Sequence, residues 1–196
     1  MKRKKLPIIN SFDLSHEGLR LDKEIYSRWQ PNIKAANDDE NTIAIYEQIG
    51  TDWFGEGFTA KKMADALKAA DGKDVTVSIN SPGGDFFEGA AIYNLLREYS
   101  GKVTVKIPGL AASAASIIAM AGDVIQISEI GFLMIHDCWA IVIGNSAEMI
   151  KTAETFSKFD SAMADVYASR TGLDKEEISD MMDKDTWLNG TEAIEK

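Results

Sequence analysis

The 196-residue chain is poor in cysteine, histidine, basic charge and long apolar runs, and each shortage excludes something. A single cysteine, Cys138, rules out an internal disulfide, and the reading places the chain in a reducing, cytoplasmic compartment. Two histidines, His16 and His136, with that one thiol leave little for a zinc site. No acidic pair stands at helical spacing beside a histidine, so neither metal nor cofactor is expected. Twenty-one basic side chains against 31 acidic ones give a net charge of −10, which argues against general affinity for nucleic acid or anionic membrane. The only basic cluster, Lys2-Arg3-Lys4-Lys5, reads as solubilising charge. Leu6-Pro7-Ile8-Ile9 is too short for a signal peptide. The longest uncharged stretch, Ile107 to Gly122, has 16 residues and is interrupted by Ser113, Ser116 and two glycines. A spanning helix needs roughly 20 apolar residues, so this stretch reads as a buried core helix and no membrane partner is expected.

Against these absences, 45% hydrophobic content supplies a core of ordinary size for one domain. Residues 1–40 form a poorly patterned arm, closed by Asp38-Asp39-Glu40-Asn41, and residues 41–196 form the patterned domain. Thr42–Ile49 reads as a strand, Thr59–Ala70 as a helix capped by Thr59, and Val75–Ile79 as a strand running into the turn Asn80-Ser81-Pro82-Gly83-Gly84. A second helix carries Ala90, Ile92, Leu95 and Leu96. Lys102–Ile107 is a strand, Pro108-Gly109 a turn, and Ala111–Ala121 a helix apolar on nearly every face. Asp123–Ser128 and Gly131–His136 are short strands, Ser146–Arg170 a long amphipathic helix ended by Thr171-Gly172, and Leu173–Met182 a short helix. A last helix starts at Thr191 and shows no C-cap, so the reading expects a missing C-terminal tail. Strands alternating with helices predict an α/β fold with a largely parallel sheet.

Several residues could carry chemistry, and each also has a plain structural use. Gly83-Gly84 after a strand would let backbone N–H groups approach an anion, or merely make a tight turn. Ser113, behind a glycine turn at a helix start, could present a nucleophile beside unpaired N–H groups, or simply cap the helix. Ser116 lies one turn deeper, where a hydroxyl tends to bond back to a carbonyl. His136 ends an apolar strand, where α/β folds bind ligands, or is a hydrogen-bonded half-buried ring. Cys138 shares the face of His136 by two-residue periodicity, as a reactive partner or a small core residue. Asp174, Glu176, Glu177, Asp180 and Asp183 read as a solvated helix face, whereas Asp185 precedes the packing segment Thr186-Trp187-Leu188 and could orient an imidazole.

Taken in order, Ile79-Asn80-Ser81-Pro82-Gly83-Gly84, Gly89-x-Ala91-Ile92-Tyr93, Gly109-x-Ala111-Ala112-Ser113 and Met134-Ile135-His136 resemble the Clp-type serine peptidases from about residue 42 to 196. Three further stretches, Ile45-Tyr46-Glu47-Gln48-Ile49-Gly50, Trp53-Phe54-Gly55-Glu56-Gly57 and Ser116 through Asp123, are similar to the Clp-related head maturation proteases of tailed phages and prophages.

The resemblance implies a Clp/crotonase-like spiral of βαβ units with a long protruding helix. It implies Ser113 as nucleophile, His136 as general base, Asp185 as third member, and the N–H groups of Gly84 and Ala114 as oxyanion donors. It also implies homo-oligomeric stacked rings meeting through Ser146–Arg170, whose Phe156, Phe159, Met163 and Tyr167 would form an apolar stripe. The implied substrate is a polypeptide, capsid or scaffold protein during phage head assembly. The chain departs from the family in three places. Asp137-Cys138-Trp139-Ala140-Ile141 replaces the proline and paired glycines of the cellular peptidases, and Lys184 replaces an arginine that couples ring assembly to the triad. Residues 1–40 do not resemble the segment that docks onto the unfoldase ATPase, so cleavage without an ATPase is expected. Two rivals remain at this stage: acyl-CoA hydratase or isomerase chemistry on the same fold, and a capsid-associated structural protein with a vestigial site.

Overall fold

The computed structural model describes residues 41–51 and 56–196. The arm of residues 1–40, with the basic cluster and His16, and the motif residues Trp53-Phe54-Gly55 lie outside them. Apolar residues in short β-branched runs set the first layer: β1 (Thr42–Ile45), β2 (Val75–Ile79), β3 (Val103–Ile107) and β5 (Val124–Ile127). They form one parallel sheet in the order β1-β2-β3-β5. Each crossover moves one strand along in the same direction, which is what turns βαβ units into a spiral. One face of the central strands is fully buried, with Val77, Ile79 and Val105 wholly inaccessible, while the other face of β3 carries the exposed Lys106.

The crossover helices are α1 (Ala60–Ala70) and α2 (Phe86–Arg97). Thr59 caps α1 as expected, its Oγ1 accepting the Lys62 N–H at 3.3 Å. The strand expected over Thr42–Ile49 ends at Ile45, and Ile49 instead bridges Phe58 and Gly84. Its N–H and C=O bond Gly83 O and Asp85 N, so this edge holds the Gly-Gly turn rather than extending the sheet.

The helix expected over Ala111–Ala121 is corrected. Leu110–Ala112 is a strand, β4, and only Ala114–Ala119 is helical, as α3. Asn80 Oδ1 accepts the Leu110 N–H at 3.0 Å, and Ser81 exchanges backbone hydrogen bonds with Leu110 and Ala112. The turn residues of β2 therefore claim the backbone of residues 110–112 before a helix can. An alanine-rich run reads as helix by propensity, but tertiary pairing overrides it.

β4 starts a second, three-stranded sheet with β6 (Phe132–Ile135) and β7 (Thr186–Asn189). β4 and β6 are parallel, while β6 and β7 are antiparallel. The segment expected only to pack, Trp187-Leu188, is thus a strand. Its indole meets Phe132 edge-on with ring centroids 6.5 Å apart. The long helix α4 spans Ser146–Thr171, with an Asn145–Glu148 capping box at its start and Gly172 in the left-handed region (φ 79°) at its end. Next come α5 (Lys175–Met182) and α6 (Gly190–Ile194). No helix among the described residues is long and apolar enough to cross a membrane.

Candidate active site

Three strand ends converge beside the start of α3. β4 delivers Ser113, whose N–H donates to Met134 O on β6 at 3.0 Å. β6 delivers His136, one residue past its last paired position. The antiparallel register pairs Ile135 with Thr186, and one further step sets His136 opposite Asp185. The structure thus brings together the three residues singled out from sequence.

Ser113 has φ 56° and ψ −128°, a conformation L-residues avoid, and strain of this kind costs about 1–3 kcal/mol. Its carbonyl accepts from Ser116 N (2.9 Å), Ser116 Oγ (2.6 Å) and Ile117 N (3.4 Å). Ser116 in turn shares a 2.7 Å hydrogen bond with Tyr167 Oη, and both residues are buried. The back-bonding expected of Ser116 is present, but Tyr167, expected in an apolar stripe, is its buried hydrogen-bond partner instead. The signal that could have found the pair is a tyrosine where an apolar face needs no hydroxyl, since a buried Tyr O–H requires a partner.

The Ser113 hydroxyl lies 2.7 Å from His136 Nε2. Burial pushes the His136 pKa down, while Asp185 and then Asp160 pull it back up. The net direction is downward, so the ring is a neutral base at neutral pH. Asp185 Oδ1 stands 4.0 Å from His136 Nδ1, too far for a hydrogen bond, with its side chain 60% exposed. Asp185 also has φ 49°, a left-handed geometry that aspartate tolerates better than most residues.

Gly83 and Gly84 both have positive φ, 93° and 149°. A methyl on Gly83 would sit 2.7 Å from Ser113 Cβ and 3.0 Å from Ala114 N, so glycine is what lets this turn press against the nucleophile. The Gly83 N–H is taken by Ser81 Oγ at 3.2 Å. Among the described residues, the N–H groups of Gly84 and Ala114 have no acceptor. These are the two donors expected at an oxyanion hole.

Asp183 is exposed at the C-cap of α5, as a helix-end charge should be, and it also hydrogen-bonds the side chain of Asp137. Desolvation, then that bond and the surrounding carboxylates, push the Asp137 pKa up to about 6. Of the two readings of Cys138, the structure fits the small core residue: it packs against the core, and burial first, then Asp160, push its thiol up to about 12. No cluster among the described residues could hold a metal ion.

A serine hydrogen-bonded to a half-buried imidazole, with a carboxylate behind it, is chemistry for acyl transfer. Residues 28–196 match the Clp protease family model. The chain belongs to the Clp protease family. It is 29% identical over 154 residues to the ATP-dependent Clp protease proteolytic subunit 1 of Chlamydia muridarum, covering 73% of this chain and 80% of that one. It is 33% identical over 127 residues to the ATP-dependent Clp protease proteolytic subunit of Pleurastrum terricola, covering 63% and 64% of the two chains. Among solved structures, a ClpP1 mutant from Listeria monocytogenes superposes with a TM-score of 0.69 at 25% identity, over 80% of this chain and 87% of that one. The chain is a Clp-type serine endopeptidase with the expected Clp/crotonase-like α/β fold. Family membership removes acyl-CoA chemistry from consideration.

Proposed function

We propose that Ser113, His136 and Asp185 are the catalytic triad of this Clp-type peptidase, with Gly84 and Ala114 N–H groups as oxyanion donors. The observation that carries the assignment is the 2.7 Å contact between Ser113 Oγ and His136 Nε2, on a serine held at φ 56°. In the reaction Nε2 takes the hydroxyl proton as Oγ attacks the scissile carbonyl. Asp185 favours the imidazolium that results, and the two amides receive the oxyanion. His136 then returns the proton to the leaving amine, and water repeats the sequence on the acyl-enzyme. A fluorophosphonate probe is expected to label residue 113, with labelling lost in Ser113→Ala and kept in Ser116→Ala. The reverse pattern refutes the assignment.

The same proposal extends to substrate and assembly: capsid or scaffold protein during phage head maturation, cleaved in the cytoplasm by a homo-oligomeric ring. The phage-like motifs at residues 45–57 and 116–123 support the substrate class. Oligomer formation is supported by exposed apolar surface, though not by the stripe expected from sequence. Met163 and Tyr167 are buried in the chain's own core, and Phe159 stacks on Phe86 with centroids 5.2 Å apart. The exposed row is instead Trp139 (67%), Ile141 (61%) and Ile143 (89%), continued by Met149 and Ile150 on α4. Light scattering should show a species several times 21.5 kDa, and a monomer at all concentrations refutes the ring. The relatives are named ATP-dependent, but residues 1–40 do not resemble the family's docking segment, and we read cleavage of unfolded protein here as independent of nucleotide. Incubation with a capsid precursor and with an unrelated unfolded protein, both without ATP, separates these points. Cleavage of only the unrelated protein refutes the phage role, and cleavage of neither until an ATPase is added refutes nucleotide independence.

A further inference from the structure

Residues Cys138 to Gly144 carry the chain from β6 to α4 without regular structure. Among the described residues, one hydrogen bond fixes the backbone of this segment: Cys138 N–H donates to Asp160 Oδ1 on α4 at 2.7 Å. Cys138 is two residues past His136, so this bond fixes where the imidazole's own backbone leaves the sheet. Asp160 is half-buried and sits one residue beyond Phe159, whose ring is locked against Phe86 and Phe87 at 5.2 and 5.4 Å. The anchor is therefore on a well-packed stretch of helix.

The imidazole also needs what Asp185 supplies only in part. Asp185 is exposed, and at 4.0 Å makes no hydrogen bond with Nδ1. The other charged groups near the ring come from three elements. Asp160 comes from α4, Asp185 from the start of β7, and Asp137, bonded to Asp183 at the end of α5, from the segment after β6. Cys138 is a neutral thiol at working pH. Of these, Asp160 acts on His136 in the same sense as Asp185, favouring the charged ring.

We propose that Asp160 is a positioning residue for His136: its carboxylate ties the backbone beyond the histidine to α4, and its charge stabilises the imidazolium formed as Ser113 attacks. The role rests on the reading of Ser113 and His136 as nucleophile and base. It divides the usual work of the triad carboxylate between Asp185, near Nδ1, and Asp160, on α4.

The test is the pH dependence of Ser113 labelling by a fluorophosphonate, measured on the full-length oligomer. Asp160→Asn keeps an oxygen to accept the Cys138 N–H and removes only the charge. It should move the labelling midpoint to lower pH by ~0.5 unit or more, because a nearby anion raises a histidine pKa and its loss lowers it. The plateau rate should fall ~3- to 10-fold, as less charge stabilisation reaches the imidazolium. Asp160→Ala removes the anchor as well and should lower the plateau at least another ~10-fold with the same midpoint, since misplacing a base by about 1 Å is worth ~100-fold. A wild-type titration in Asp160→Asn, or a shift to higher pH, overturns the electrostatic role. Equal plateaus for Asn and Ala overturn the anchor. If Asp160→Ala fails to fold, the asparagine variant alone decides. Labelling that survives Ser113→Ala would instead sink the underlying site assignment, so the two failures are distinguishable.

Discussion

Replacing Asp185 by asparagine separates a carboxylate that contributes charge from one that merely sits near the histidine. Its Oδ1 is 4.0 Å from His136 Nδ1, and its side chain is 60% exposed against 17% for the histidine. At that separation, unit charges attract by about 1 kcal/mol in water and about 4 kcal/mol at an effective dielectric constant of 20. An exposed carboxylate facing a largely buried ring belongs between these limits, at about 2.7 kcal/mol, or roughly 100-fold in rate. A buried, hydrogen-bonded triad carboxylate is worth about 10⁴ in kcat, and Asp185 should fall short of that because it is neither. Asp185→Asn is therefore expected to lose about 100-fold in kcat on an unfolded protein substrate, with KM, fold and oligomeric state unchanged. Asp183→Asn is the matched control. Its carboxyl bonds Asp137 rather than His136, so its loss should change kcat by no more than a few-fold. A fully active Asp185→Asn, or the large loss appearing in Asp183→Asn instead, would refute this reasoning.

Gly83→Ala should abolish labelling of Ser113 while lowering stability by about 2–4 kcal/mol, from the positive φ of 93° and the crowding against Ser113 Cβ; labelling and a melting curve on the same preparation check it. Tyr167→Phe, which keeps the ring and removes the hydroxyl, should lower kcat several-fold with KM unchanged, and Ser116→Ala should do the same without adding to it in the double variant. The Asp137 carboxyl is held at about 6 when folded, against the ordinary aspartate value of 3.8, so the folded state keeps a proton that the unfolded chain releases. The associated stability is present below about pH 4 and is lost as pH rises through about 6. Asp137→Asn should therefore melt a few degrees higher than wild type at pH 7.5, about 1 kcal/mol after allowing for solvent screening, and level with it at pH 4.

What was legible in the sequence follows from which interactions are local. Periodicity found α1, β2, β3, β5, β6 and α4 because each buries a stripe or a face dictated by its own spacing. It missed β4 and β7 for one reason: both are held by distant partners. β4 is set by Asn80 and Ser81, some 30 residues upstream, and β7 by β6, more than 50 residues away. Missing β7 mattered, because its register is what sets Asp185 opposite His136. Sequence position after the Thr171-Gly172 break identified the residue, but only the antiparallel pairing explains why Asp185 and not Asp183 faces the imidazole. Asp160 gave no signal at all. It is an acid on a helix rich in charge, and its use depends on a backbone N–H 22 residues away.

The small residues around the nucleophile have a common cause. Ser113 is held by its N–H on Met134 O and by three donors on its own carbonyl, so its backbone has no unengaged group with which to relax. Holding a residue at φ 56° by hydrogen bonds alone needs neighbours that can come close enough to make them. Gly83 abuts Ser113 and Ala114 on one side. On the other, α2 approaches α3 at Gly89, where an added methyl would lie 3.0 Å from Ala114 Cβ. A larger side chain at either glycine would push α3 away and let Ser113 settle into an ordinary conformation, withdrawing Oγ from His136. The motifs that made the family recognisable, Pro82-Gly83-Gly84, Gly89 and Ala111-Ala112-Ser113, are thus the minimum of side-chain volume that permits the strained serine. This explains why these motifs were readable from sequence while Asp160 was not. Close approach restricts residue type to one or two choices, whereas a charge acting across 4 Å or more is met by any acid on any of several elements.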